Sequence, residues 1–396
     1  MNLAVLGGKP IVPKGSFCDW PNVTEEEVKS LVEKFKSISF NNYKLDYDIT
    51  QFEELFGKYI GTKYCFTLNS GTAAIYSALV GCNLKPSDNV IVPAYSFFSA
   101  AAAVLNAGAK VKFCDVDLQT FNIDSQSFKE QIDEDTKAVI LVHIFGNPCN
   151  IDKINQICKE KEIIIIEDAC QAHGAMYKRK KTGNLGDIAA FSFHISKNLP
   201  IVEGGAITTN NVKLRDKAAS ANMFPNYIEN KHINLGNNFK FNGLFAKIGL
   251  ERLKSLEKFN NRRQENRDYL IQRLKKFDFI IPQKITENAQ SSNAMFVFRI
   301  DHSKLNISNS LIDSRNRFLL ALHKEGVNCG IWSDKIVPEM EMFGIDASKF
   351  PNAKMLVDST IYISGIHYPN SKNEMNLIIK AIEKIVDNKE ELKEIK

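Results

Sequence analysis

Between about residue 60 and residue 210 the sequence alternates short apolar, β-branched runs with stretches of helical periodicity, the runs falling at 89–94, 111–116, 138–145, 163–166, 189–193 and 206–209. Strands separated by helices pair in parallel through crossover connections, so this alternation predicts βαβ units around a mainly parallel sheet. The strictest instance is Ile163-Ile164-Ile165-Ile166, apolar on both faces of the pleat. That is the pattern of a central strand covered by helices on each side, and Glu167 and Asp168 mark its carboxyl end.

Outside that region the pattern changes. Thr24 and Glu27 form a capping box ahead of Val28, Leu31, Val32 and Phe35, which predicts a lead-in helix. A long helical pattern begins near Gly243 and carries Leu250, Leu253 and Leu256, as a connector between two units would. Beyond it, 294–300 and 360–364 read as strands and 311–324 and 372–387 as helices. The chain of 396 residues is thus read as α/β, with a large domain over 1–245 built on a sheet of the seven-stranded type and a smaller α+β domain over 246–396. The Lys/Glu-rich tail after Asn388 reads as a frayed helix end.

Composition narrows the function classes. The formal charge is only +5 and the basic residues are spread along the chain, so nucleic acid is not an expected partner. The densest basic cluster, 178–181, reads as a solvated loop. The 8 cysteines include no C-x-x-C pair and no metal-finger spacing, which predicts no metal site and free thiols in a reducing compartment. No window reaches the roughly 18 consecutive apolar residues of a membrane helix, and the start MNLAVLGGKP lacks a secretory pattern, so the expected location is cytoplasmic.

Ligands of open α/β sheets bind outside the carboxyl ends of the strands, so polar residues just after the apolar runs are the candidates for chemistry. Asn69-Ser70-Gly71-Thr72-Ala73-Ala74 is a small-residue turn entering a helix, whose free N–H groups suit an anion, although alone it marks only a capped helix start. Pro93 to Phe98 ends another strand in an aromatic cluster, in which Phe97 or Phe98 is placed to stack on a flat ring or simply to fill the core. Asp168 and Gln171 follow the isoleucine run; a strand-end aspartate is either a turn residue or the group that keeps a pyridine nitrogen protonated. Lys197 lies just past an apolar strand, between Ser192-Phe193-His194 and Glu203-Gly204-Gly205, where spacing alone favours an ordinary surface lysine over a Schiff-base lysine. The order of these groups within one βαβ region carries more weight than any one of them.

In this order the sequence resembles the sugar aminotransferases of the DegT/DnrJ/EryC1/StrS family, pyridoxal-phosphate enzymes of fold type I. The resemblance runs over nearly the whole chain, from the LGGKP opening through Asn69-Ser70-Gly71-Thr72, Pro93 to Phe98, Glu167-Asp168-Ala169-Cys170-Gln171, Ser192 to Leu199 and Glu203-Gly204-Gly205 to Gly236-Asn237-Asn238-Phe239-Lys240. It implies that Lys197 is the Schiff-base lysine and proton carrier, and that Asp168 partners the pyridine nitrogen. Gln171 is implied to bond the phenolic oxygen, Phe97 to stack on the ring, and Thr72, Ala73 and Ser192 to cradle the phosphate. Asn238 matches an asparagine that reaches a partner subunit's phosphate, so a homodimer with shared active sites is implied, acting on a keto-sugar, most naturally a nucleotide-linked one, with L-glutamate or L-glutamine as donor.

Several features qualify the resemblance. Ile195 and Pro200 stand where relatives often carry Pro and Gly, beside the lysine but without removing a reactive group. Lysine is retained at 197, whereas relatives with histidine there are sugar dehydratases. Trp332-Ser333-Asp334 replaces a common Tyr/Pro/Leu/His pattern near the acceptor pocket, and the LGGKP opening is shared with relatives that aminate carbocyclic ketones, so a cyclitol is the alternative acceptor. No arginine follows Arg317, so the end of the chain offers no guanidinium fork for a substrate carboxylate, which favours a ketone neutral near its carbonyl. A catalytically silent scaffold is disfavoured by the joint presence of Lys197, Asp168, Gln171 and Ser192.

Overall fold

The computed structural model describes residues 2–36, 46–222 and 235–395. Its strands are β1 (Tyr64–Leu68), β2 (Asn89–Pro93), β3 (Lys110–Cys114), β4 (Thr136–Val142), β5 (Ile164–Asp168), β6 (Met176–Tyr177), β7 (Lys180–Lys181), β8 (Ile188–Ser192), β9 (Gly205–Thr209), β10 (Ile280–Pro282), β11 (Ala289–Gln290), β12 (Phe296–Ile300), β13 (Cys329–Gly330) and β14 (Thr360–Ile363). The large sheet has the order β1-β9-β8-β5-β4-β2-β3. Pairing is parallel from β8 to β3, while β9 runs antiparallel to both its neighbours. β5 lies in the middle of this order, as its two-sided apolar run requires, with Ile165 and Ile166 both buried.

The capping box at the first helix, Glu25–Phe35, is formed: Thr24 Oγ1 accepts the Glu27 N–H at 3.2 Å and Glu27 Oε2 accepts the Thr24 N–H at 3.0 Å. The long connector is a continuous helix, Gly243–Leu274, after which β10, β12, β14 and β13 form an antiparallel sheet backed by the helices Leu311–Lys324 and Lys372–Asp387. Packing crosses between the two parts of the chain. Leu3 and Val12 lie in the core of the later sheet, while Ile336, Phe350 and Leu356 lie in the core of the large one.

Two expectations are corrected. The tail after Asn388 is not frayed: Lys389–Glu394 makes a short 3-10 turn because Leu392 and Ile395 are buried in the later core and Glu391 accepts the Leu3 N–H at 2.8 Å. The basic cluster is the hairpin β6–β7, turning through Lys178 (φ 47°) and Arg179 (φ 67°) and paired on its other side with β11. Lys178 and Lys181 still reach outward, to Asp152 at 2.5 Å and Glu257 at 3.0 Å.

Candidate active site

The carboxyl ends of β1, β5 and β8 and the loop after β2 open into one cavity of about 370 Å³. Six residues singled out in the sequence line it: Thr72, Phe97, Asp168, Gln171, Ser192 and Lys197. Two do not. Ala73 sits one step inside its helix, with its N–H donated to Ser70 Oγ at 3.1 Å, and Asn238 is exposed, its carbonyl accepting from Asn69 Nδ2 at 3.4 Å.

The helix Gly71–Gly81 starts at the cavity. With Ser70 capping Ala73, the N–H groups of Gly71 and Thr72 remain free among the described residues, and the positive end of the helix dipole points with them. The helix is seated so closely that a Cβ on Gly71 would fall 2.6 Å from Ser192 Cβ and 3.0 Å from Cys170 Sγ. Glycine is needed there for approach, and the result is a ring of small groups around two free amides, suited to a phosphate.

Asp168 ends β5 and is 6% exposed. Its Oδ1 accepts the Cys170 N–H at 3.1 Å, and among the described residues no cation pairs with it. Gln171 is oriented by an unusual neighbour. Phe145, buried and held at φ 55°, turns its N–H onto Gln171 Oε1 at 2.7 Å, which leaves the Gln171 Nε2 donors for the cavity. A left-handed phenylalanine costs on the order of 1–3 kcal/mol, so this orientation is bought with strain.

Lys197 occupies the loop from His194 to Glu203, which is closed at its neck by Ile195 N–H donating to Val202 O at 3.0 Å and Phe193 N–H to Gly204 O at 2.8 Å. Lys197 is half-buried and, among the described residues, its Nζ carries no hydrogen bond or ion pair. The backbone around it is gripped on two sides. Trp20 Nε1–H donates to Lys197 O at 3.0 Å, and Asn198 Nδ2 donates to Asn260 Oδ1 at 2.9 Å and Ser292 O at 2.7 Å. His173, fully buried between Phe191 and Phe193, has no well-formed hydrogen bond at either ring nitrogen among the described residues, and its pKa is pushed down to about 3, by burial first and by the Lys197 charge second.

Several lining residues carried no role in the sequence reading. His194 Nδ1 accepts the Ser196 N–H at 3.2 Å, which leaves its Nε2 facing Glu203 Oε1 at 3.7 Å. Met295 and Trp332 come from the later part of the chain. Trp332 stands edge-on to Phe145 at 5.3 Å and tilted against Phe97 at 6.4 Å, so the departure noted at 332 is part of the cavity wall. The role of Phe145 had no local signal, because it depends on backbone conformation and not on side-chain type.

Residues 21–383 match the DegT/DnrJ/EryC1/StrS aminotransferase family. The chain belongs to this family. It is 30% identical over 386 residues to the uncharacterized protein MJ1066 of Methanocaldococcus jannaschii, covering 92% of this chain and 96% of that one. It is 33% identical over 259 residues to the dTDP-3-amino-3,6-dideoxy-alpha-D-galactopyranose transaminase of Aneurinibacillus thermoaerophilus, covering 65% of this chain and 71% of that one. An aminotransferase from Psychrobacter cryohalolentis superposes with a TM-score of 0.87 at 25% identity, over 94% of this chain and 99% of its own. The protein is accordingly a pyridoxal-phosphate-dependent aminotransferase with the fold type I architecture. Among the described residues the cavity fits that cofactor: two free helix amides suit the phosphate, a buried carboxylate without a cation suits the ring nitrogen, and a lysine amine is unengaged.

Proposed function

We propose that the protein transfers an amino group from L-glutamate or L-glutamine to the ketone of a nucleotide-linked sugar, in amino-sugar biosynthesis. The observation that carries this reading is the makeup of the cavity. Lys197 and Asp168 share it with Gln171 and Ser192, and its lining contains no arginine among the described residues. A site that took two amino acids in turn would gain most from a guanidinium fork for their carboxylates. A hydroxylated ring held by Ser70, Ser196, His194 and Glu203 suits this lining better.

Pyridoxal phosphate, when bound, supplies an electron sink that makes the α-proton of an attached amine removable. The protein's own residues do the rest. Gly71, Thr72 and Ser192 would hold the phosphate, with Ala73 shaping the turn, and Asp168 would hold a proton on the ring nitrogen. Gln171 Nε2 would donate to the phenolic oxygen, and Phe97 would cover one ring face. Lys197 Nζ would anchor the resting cofactor and then take the proton from the donor's α-carbon, returning one to the acceptor carbon in the second half-reaction. Asn238, exposed and outside its own chain's cavity, suits a role in the partner subunit's site, and we infer a homodimer with shared sites. All eight cysteines are free, which supports a reducing, cytoplasmic setting.

The retained lysine supports transamination over dehydration, and the LGGKP opening supports a carbocyclic ketone as the second acceptor class to test. The test is the absorbance spectrum of the purified protein before and after L-glutamate and, separately, L-glutamine, with borohydride reduction and peptide mapping. A chromophore trapped on Lys197 and bleached by one donor is expected, followed by its return on adding the right ketone. A loaded chromophore that neither donor changes would overturn the donor assignment.

A further inference from the structure

The N-terminal segment is laced to the far side of the molecule. Glu325 accepts the Ala4 N–H at 2.9 Å and the Ile11 N–H at 3.0 Å while pairing with Lys384 at 2.8 Å, and Asn370 Oδ1 accepts the Cys18 N–H at 2.9 Å. Two residues later the segment delivers Trp20 to the back of the lysine loop, where the indole N–H meets Lys197 O at 3.0 Å.

The indole is itself held firmly. Phe259 meets it edge-on at 5.2 Å, His367 lies at 5.3 Å, and the Arg263 guanidinium sits 4.6 Å above the ring. Arg263 is an anomaly. It is 2% exposed and pairs with no carboxylate among the described residues; its Nη1 donates to Ala294 O at 3.1 Å and its Nε has no partner. Burying a lone cation is expensive, and the aromatic face of Trp20 is the compensation this structure offers. Because Ala294 lines the cavity, Trp20 and Arg263 together tie one cavity wall to the backbone of the lysine.

We propose that Trp20 is a positioning residue for Lys197, and that through it the N-terminal segment is a working part of the active centre. This rests on the reading of Lys197 as the reactive lysine. On its amide side Lys197 donates to His194 O at 2.9 Å, while the indole bond and the pinned Asn198 side chain together fix its carbonyl side and with it the direction from which Nζ enters the cavity.

Trp20→Phe removes the N–H donor and keeps a ring for Arg263 and Phe259. With one backbone restraint gone, amide hydrogen exchange across residues 194–203 of the cofactor-free protein should quicken about fivefold to tenfold. In the loaded protein the pH midpoint of the chromophore should move by about half a unit. The donor KM should stay near its wild-type value while kcat falls about tenfold, as misalignment of a reacting group predicts. Trp20→His, which keeps a ring N–H, should restore part of each change. A purely structural role would lower the thermal midpoint and cofactor occupancy without moving the chromophore midpoint, and that result, or unchanged loop exchange in Trp20→Phe, overturns the proposal. If the wild-type protein carries no chromophore on Lys197, the underlying reading fails and this proposal with it; a wild-type chromophore unmoved by Trp20→Phe defeats the proposal alone.

Discussion

Two carboxylates adjacent on β5 end up in opposite circumstances. Glu167, fully buried, accepts N–H groups from Gly183 at 2.8 Å, Leu185 at 2.7 Å and Gly186 at 2.7 Å, and meets His143 Nε2 at 2.9 Å. Asp168, on the other face of the strand, accepts one backbone N–H and faces the cavity. The first region is a closed polar knot in which every bond is made inside the chain. The second leaves its bonding capacity for something from outside. A strand's alternation places them on opposite sides, and the difference in saturation separates scaffold from site better than burial does, since both are buried.

The largest effect should come from the most unsatisfied group. Lys197→Ala should lower turnover by about 10⁴-fold or more. Its thermal midpoint should stay close to the wild type's, because no bond to Nζ is lost. A comparable fall in stability would place Lys197 on the scaffold side.

The two carboxylates can then be set against each other. Glu167→Gln replaces one of the two acceptor oxygens by an NH2 that faces either the Gly183 N–H or the Leu185 and Gly186 N–H groups, and it should destabilise the fold by about 3–5 kcal/mol, read by urea denaturation. Asp168→Asn should leave stability nearly unchanged while kcat falls about 10²-fold to 10³-fold, the range for removing a group that stabilises transition-state charge. Equal losses of stability in both variants would erase the distinction.

Much of the scaffold was legible in the sequence, and the reasons differ by element. Six runs marked strands of the large sheet to within a few residues, because two-sided burial writes itself as uninterrupted apolar sequence. β1 was not among them: Tyr64 and Cys65 are only half-buried, so no strong run forms. The antiparallel direction of β9 is likewise invisible to composition. Within the site, Thr72, Phe97, Asp168, Gln171, Ser192 and Lys197, which line the cavity, were legible through their motifs. Trp20, Phe145 and Arg263 were not, since each acts through backbone contacts made across 26 residues or more, such as Phe145 N–H to Gln171 and Trp20 to Lys197.

A smaller effect probes the proposed phosphate cradle. Gly71→Ala must displace Ser192 or Cys170 to fit its Cβ, and it should weaken cofactor affinity about tenfold, measured by equilibrium titration of the cofactor-free protein. Affinity within about twofold of wild type would mean that the cradle relaxes at little cost.

The smallest expected effect concerns His173, which belongs to neither region cleanly: it is buried like Glu167 yet unsatisfied like Asp168. With a folded pKa of about 3 against 6.5 for the free side chain, it stays neutral in the native state through a range where the unfolded chain takes up a proton. The unfolded state therefore binds more protons between these values, and the contribution of His173 to stability is intact above pH 6.5 and lost as pH falls toward 3. The slope for one proton is roughly 1.4 kcal/mol per pH unit. Glu53 acts in the opposite sense, since burial raises its pKa to about 7 and makes the folded state the better proton acceptor between 4.5 and that value. Wild-type stability alone would blur the two. The difference between wild type and His173→Leu removes the Glu53 contribution common to both, and that difference should fall steadily as urea unfolding is repeated from pH 6.5 down to 4.5; a difference independent of pH would mean that His173 finds a proton and a partner in the folded protein.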